Sequence, residues 1–493
     1  MKQCVFWFVT GSQHLYGEET LKEVAKHSEE MVNYFNQREE IPFEIVWKPV
    51  VKTQGEITNL FKDASGDENC AGVITWMHTF SPSKMWINGL KQFKKPILHL
   101  HTQFNEEIPW DTMDMDFMNT NQSAHGDREH GFIFTRMGIA RKVIAGHYKN
   151  ETVIKRMARW LKVARAAYLG DEIKVMRLGD NMRDVAVTEG DKVEAEIKFD
   201  WSVDYYAVGD LVERMAQVTD AAIDEVMASY KERYEFADDV LADEAKYGAV
   251  RYQAKIEVAL RAMLEEGGYN AVVDTFQDLH GLKQLPGLAI QNLMADGYGF
   301  GPEGDWKVAA MTKVMNIMAD NKGTSLMEDY TYNLVPGQEG ILGAHMLEVS
   351  PAIAASKPRI EVHPLGIGGK EAPARLVFDS KPGKAICVSL IDMGGRMRLI
   401  IADVDAIELP HQLPQLPVAR AYWIPQPSMT EGTEAWIYAG GAHHTIFSYE
   451  LTAEDLIDWA EMMDIEYVHI NKDIHMTQFK KELQLSEILW KLK

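Results

Sequence analysis

Apolar residues first recur along the chain in short unbroken runs. Cys4–Val9 is one, closed by Thr10-Gly11-Ser12; Phe43–Val50, Ala71–Trp76 and Pro96–His101 follow. Between them the spacing turns helical, over Glu18–Phe35 and Glu56–Lys62. A strand that is apolar on both sides must be covered on both faces. Such strands alternating with helices predict a parallel α/β sheet.

A second unit of this kind is predicted over about 174–320. Asp210–Glu266 is mostly helical by pattern, with an acidic connector at Asp238–Glu244. Ala271–Phe276 reads as a strand and Val308–Met318 as a helix. From about Met346 the pattern changes to short runs punctuated by Pro and Gly: Arg359–Val362, Arg375–Phe378, Ala385–Ile391, Met397–Ile401, Ala421–Ile424 and Ala435–Tyr438. These predict an all-β barrel or sandwich. Thr452 with Asp455 predicts the cap of a helix over Ala453–Met463.

At 493 residues the chain exceeds the roughly 250–300 that one core supports, so two or three domains are expected. A net charge of −22 repels phosphate backbones and anionic lipid, which argues against nucleic acid and membrane as partners. The one basic stretch, Arg136–Arg165, keeps apolar residues at helical spacing (Val153, Met157, Trp160, Leu161, Ala164, Tyr168) and reads as a helix face or subunit contact. Cys4, Cys70 and Cys387 are far apart and show no zinc or redox spacing. The N-terminal apolar run is too short for a signal peptide, and no apolar run of about 18 residues occurs, so a cytoplasmic location is expected.

Several segments concentrate chemistry. Thr10–Gly17 follows the first strand with an amide, an imidazole and a phenol in place of a glycine-rich phosphate loop; these groups suit the hydroxyls of a neutral ligand, or simply a polar turn. Asn119–His130 is dense in hydrogen-bonding groups, with His125 able to titrate near neutrality, and also reads as a surface loop. Glu303 lies among glycines in 299–306. Glu328 and Asp329 sit in an otherwise apolar and aromatic run, as caps, paired acids or groups with perturbed pKa. His345 opens the β-rich part, and His443-His444 follow two glycines. Two Glu and two His segments together suit a hard-to-borderline divalent cation, although none has short-range spacing such as H-E-x-x-H. His363–Lys370 lacks the glycine spacing of a phosphate loop and reads as a tight turn. His99 and His101 share one side of a strand and read as structural.

Seven of these pieces, in this order, resemble the L-arabinose isomerase family: TGSQHLYG at 10–17, MDFMNTNQSAHG at 115–126, GFGPEGDWK at 299–307, GTSLMEDYTY at 323–332, HMLEV at 345–349, HPLGIGGK at 363–370 and AGGAHHT at 439–445. The resemblance implies two Rossmann-like or flavodoxin-like α/β domains, over 1–173 and 174–325. It implies a C-terminal β-barrel-like domain over 326–493. It implies interconversion of L-arabinose and L-ribulose, with D-galactose to D-tagatose as a side reaction, through a cis-enediol. It further implies a Mn2+ ion, with Co2+ as a substitute, held by Glu303, Glu328, His345 and His444. Glu303 and Glu328 would be catalytic. Substrate contacts carry over to Gln13, Leu15, Tyr16, Gln122, His125, Met182, Phe276 and Ile367. Family members are homo-oligomers, hexamers or tetramers, with the active site shared between subunits.

These residue types suit that chemistry. The carbon proton of an aldose is barely acidic, so the enediol must be stabilised as it forms; a divalent ion does this as a Lewis acid, and carboxylates can carry the proton. His125 is a candidate proton shuttle for opening the sugar ring. One alternative within the class and two from other classes fit less well. The MEDYTY and AGGAHHT segments argue against a fucose-preferring isomerase. A non-catalytic sugar-binding protein has no use for the Glu and His set. A nicotinamide dehydrogenase needs a glycine fingerprint that is absent.

Overall fold

The computed structural model describes residues 2–492. The chain divides into two compact units. One runs to Leu169 and takes in Ile457–Asp464; the other comprises Gly170–Leu456 and the residues from Ile465 on.

In the first unit, β1 (Val5–Gly11), β2 (Ile45–Trp47), β3 (Cys70–Met77), β4 (Ile97–His101) and β5 (Lys142–Ala145) form a sheet in the order β2-β1-β3-β4-β5. All pairings are parallel. Every residue of β1 and β3 is buried, hence their unbroken apolar runs. Val5, Trp7 and Val9 enter one cluster with Ile57, Phe61 and Phe134. On the other face Phe6 meets Trp160, and Phe8 meets Phe35. The helix Gln54–Gly66 starts where Thr53 and Glu56 form a reciprocal capping box. The chain leaves β1 toward β2 and returns to β3 on the other side. The crevice at the carboxyl ends of β1 and β3 is therefore a topological switch point, where sheets of this kind bind ligands.

The second unit opens with β6 (Lys174–Leu178) and β7 (Ser202–Tyr206), followed by β8 (Glu235–Phe236), β9 (Ala271–Val273) and β10 (Gly299–Gly301). Four of these form a second parallel sheet in the order β10-β9-β6-β7. The strand expected over Ala271–Phe276 ends at Val273, which leaves Asp274–Phe276 in the loop beyond the sheet. Next come β11 (Thr324–Asn333), β12 (Gly340–Ala344), β13 (Arg359–Val362), β14 (Ala374–Val377), β15 (Gly383–Asp392), β16 (Met397–Ile407), β17 (Arg420–Pro425), β18 (His444–Ser448) and β19 (Glu466–Ile470). The order β15-β18-β11-β12-β17-β16 closes on itself through β15–β16 pairing, and β19 adds in parallel to β16. The result is an antiparallel barrel filled by residues such as Met327, Ile341, Trp423 and Phe447. β13 pairs with β14 on one side and with β8 on the other in a small separate sheet.

The helix Trp306–Met318 joins the two layers. All 13 of its residues are buried, because it packs on β9 and β10 on one side and on β11, β15 and β18 on the other. That explains its lack of a polar stripe.

One predicted strand is corrected. Ala435–Tyr438 belongs to a helix, Met429–Ala439. Ser428 accepts a hydrogen bond from the Glu431 N–H, and Gly440 takes φ +86° to end the helix. Asn119–His130 also folds mainly as helix, within Met115–Thr120 and Ser123–Met137, rather than as a loop. Asp455 accepts from the Thr452 N–H at 2.8 Å, in line with the predicted cap. No helix among the described residues is long and apolar enough to cross a membrane.

Candidate active site and metal centre

The barrel register alone assembles part of the site. Glu328 on β11 lies opposite His444 across β18 and opposite Ala344, the residue before His345, across β12. Glu303 arrives from the parallel sheet, on the loop after β10. That loop is tightly held: Met182 N–H donates to Glu303 O at 3.1 Å, and Gly304 N–H donates to Asp274 O at 2.9 Å. Glu303 itself takes φ +59°. Gly304 takes φ +83°, and a Cβ there would sit 2.3 Å from Asn181 Cα.

Glu303, His345 and His444 each offer a ligand atom within 4.8 Å of the others, and so do Glu328, His443 and His444. His345 Nε2 lies 3.9 Å from Glu328 Oε2, and His444 Nε2 lies 3.8 Å from Glu303 Oε2. The four residues proposed from sequence therefore converge, with His443 as a fifth, part-exposed neighbour 3.7 Å from Glu303.

Two observations fit a divalent cation. His345 Nδ1 is 2.6 Å from Glu348 Oε2; a carboxylate can only accept, so Nδ1 carries an N–H, and Nε2 is the nitrogen turned toward the glutamates, where the neutral ring offers its lone pair to a cation. His444 is fully buried, yet neither ring nitrogen has a hydrogen-bond partner. A buried imidazole left in that state needs a ligand. Two imidazoles and two carboxylates suit a hard-to-borderline divalent cation.

The carboxyls are tuned in opposite directions. The adjacent His443 imidazole, together with His444 and His345, holds Glu303 below the usual carboxylate range against the effect of burial. Burial pushes Glu328 up, aided by the negative charges of Glu303 and Glu348 and opposed by His345 and His443. Such a split lets one carboxyl take a proton while another gives one. Burial works to keep His345 neutral, but Glu348, Glu328 and Glu303 outweigh it and raise its pKa.

Supporting residues missed in the sequence stand close to the motifs. Asp305, two residues after Glu303, is buried 3.6 Å from His444 Nδ1 and pairs with the buried Lys307 at 3.1 Å. Lys307 also donates to the backbone oxygens of Thr188 and Glu189. Glu348 stands three residues after His345. Spacing to a ligand was the available signal for both. Asp274 had none: its carboxylate is buried with no partner on either oxygen, and burial, then Glu348 and Glu303, push its pKa well up.

Of the predicted substrate contacts, Phe276 lies with its ring 6.0 Å from that of His345, and Met182 holds the Glu303 loop. Ile367 is exposed on the turn between β13 and β14. The other five gather in the first unit, at its switch point. Gln13 Nε2 donates to Phe80 O at 3.1 Å, the Tyr16 hydroxyl donates to Gln122 Oε1 at 3.1 Å, and His125 packs on Phe80 with ring centroids 4.6 Å apart. Leu15 is 84% exposed. The predicted contacts are thus divided, five in the first unit and three in the second.

Known proteins match the chain over almost its full length. Residues 1–171, 174–321 and 323–466 match the family models of the L-arabinose isomerase N-terminal, central and C-terminal domains. The chain is 57% identical over 486 residues to the L-arabinose isomerase of Geobacillus stearothermophilus, covering 99% of this chain and 98% of that one. It is 56% identical to that of Halalkalibacterium halodurans over 491 residues (100% and 99%) and 55% identical to that of Bacillus subtilis over 494 residues (100% and 99%).

Proposed function

The chain belongs to the L-arabinose isomerase family, and from that premise we propose how it converts L-arabinose to L-ribulose, and D-galactose to D-tagatose, in the cytoplasm. Glu303, Glu328, His345 and His444 hold Mn2+, with Co2+ as a substitute ion. When bound, the cation supplies Lewis-acid polarisation of the sugar oxygens. Glu303 and Glu328 move the carbon proton from C2 to C1 through a cis-enediol. Their opposed pKa shifts support that division of labour. Asp305 and Glu348 steady His444 and His345 from behind.

Gln13, Leu15, Tyr16, Gln122 and His125 receive the sugar hydroxyls, together with Met182, Phe276 and Ile367. The active form is a homo-oligomer, hexamer or tetramer, in which the first unit of one copy completes the metal site of another. Exposed Leu15, Trp110, Met113, Met115 and Met118, close in sequence to the sugar-binding segments, support an interface there.

The observation that carries the reading is the convergence of Glu303 and His345 on His444, a buried imidazole with no hydrogen-bond partner. Turnover of L-arabinose in D2O tests it. Deuterium is expected on C1 of the L-ribulose formed, since a carboxylic proton exchanges with solvent. Ketose free of deuterium after prolonged incubation points to a hydride shift and removes the carboxylates from the chemistry.

A further inference from the structure

A buried carboxylate fastens the segment that carries Gln122 and His125 to the sheet of the first unit. Asp127 lies in the helix Ser123–Met137, two residues after His125, and its side chain is 1% exposed. Its Oδ1 accepts from Met77 N–H at the end of β3, at 3.1 Å, and faces His99 Nε2 at 3.0 Å. Its Oδ2 faces His101 Nδ1 at 2.9 Å. Both histidines come from β4, so one carboxylate clamps the helix start to two strand ends.

The same turn is pressed down elsewhere. Gln122 N–H donates to His78 O at 2.8 Å, and a Cβ on Gly126 would meet Thr79 O at 2.6 Å. Residues two apart on a helix point to nearly opposite sides. With Asp127 turned into the sheet, His125 is turned out onto Phe80. Burying a carboxylate among three donors is a poor way to gain stability, because an apolar side chain of that size does as well. What the ion-like cluster adds is direction.

We propose that Asp127 is the positioning residue of the sugar-binding segment, and that with His99 and His101 it sets the orientation in which Gln122 and His125 meet the sugar. The inference rests on the assignment of those two residues to the sugar.

The test compares KM and kcat for L-arabinose, and Mn2+ affinity by titration, in the full-length protein and in Asp127→Ala, Asp127→Asn and His101→Gln. Misplacing a binding group by about 1 Å costs up to on the order of a hundredfold, so Asp127→Ala is expected to raise KM at least about tenfold. Asp127→Asn, which keeps one accepting oxygen, and His101→Gln raise it less. kcat moves little in comparison, and Mn2+ affinity, held by the other unit, stays unchanged. A purely structural role would lower the amount of active enzyme and leave KM untouched; that result overturns the proposal. His101 is part-exposed at a strand end, so its variant decides the matter if Asp127→Ala fails to fold. Gln122→Ala and His125→Ala separate the two ideas. If they raise KM and the Asp127 and His101 variants do not, the positioning role falls alone. If they too leave KM unchanged, the sugar assignment falls first.

Discussion

His345 Nδ1 and Glu348 Oε2 lie 2.6 Å apart in a setting where both side chains are buried, and this contact fixes which nitrogen of His345 is free. Loss of such an outer partner typically costs about 10–100-fold in metal affinity. Glu348→Ala is therefore expected to weaken Mn2+ binding by about that factor with every ligand intact, and Glu348→Gln, which keeps an acceptor, by less. Calorimetric titration measures it; equal affinity in both variants contradicts the role.

The adjacent histidines are not equivalent. His444 belongs to both ligand groups and is fully buried, whereas the His443 side chain is 38% exposed. His444→Ala is expected to abolish Mn2+ binding, and His443→Ala to retain most of it. The reverse order in a manganese electron-paramagnetic titration would move the metal to the other imidazole.

Gly304 holds φ +83° with Asn181 directly behind it. An L-residue in that region costs about 1–2 kcal/mol before any clash. Gly304→Ala is expected to lower the melting temperature and to displace Glu303, so that Mn2+ affinity falls as well. A normal melting curve with normal affinity would show that the loop has slack.

The first unit carries a pH dependence of definite sign. The hydrogen bond to Asp127 raises the His101 pKa above 6.5, while burial and Arg128 oppose it. Protonated His101 is favoured in the folded state, so its contribution is fully present below pH about 6.5 and is lost as pH rises through the raised folded value. His101→Gln is expected to flatten that part of the stability profile. An unchanged slope in thermal melts across the window would mean that the imidazole does not titrate there.

Much of this was readable before the fold. The parallel strands were legible because burial on both faces leaves no polar alternation, and the segments that bring Glu303, Glu328, His345 and His444 together stood out by their motifs. The strand assigned to Ala435–Tyr438 failed because four apolar or aromatic residues fit either period. The deciding signals, Ser428 three residues before Glu431 and Gly440 after Ala439, lie outside the run. The segment around Gln122 looked like a loop because its helix buries polar groups, Asp127 and His130 among them, and so shows no apolar stripe. Asp274 was invisible: nothing local marks a carboxylate whose neighbours, Glu303 and Glu348, come from distant segments. His99 and His101, read as structural, proved to grip the segment that carries His125.

The central claim joins a cation to two carboxylates, and ketose formation from L-arabinose tests it most directly. The full-length protein is assayed after chelator treatment and again after Mn2+ is restored. Activity is predicted to vanish and then return, while Glu328→Ala stays inactive in both conditions. L-ribulose formed at an undiminished rate by the chelated protein, or no ketose with any divalent ion, would contradict the account.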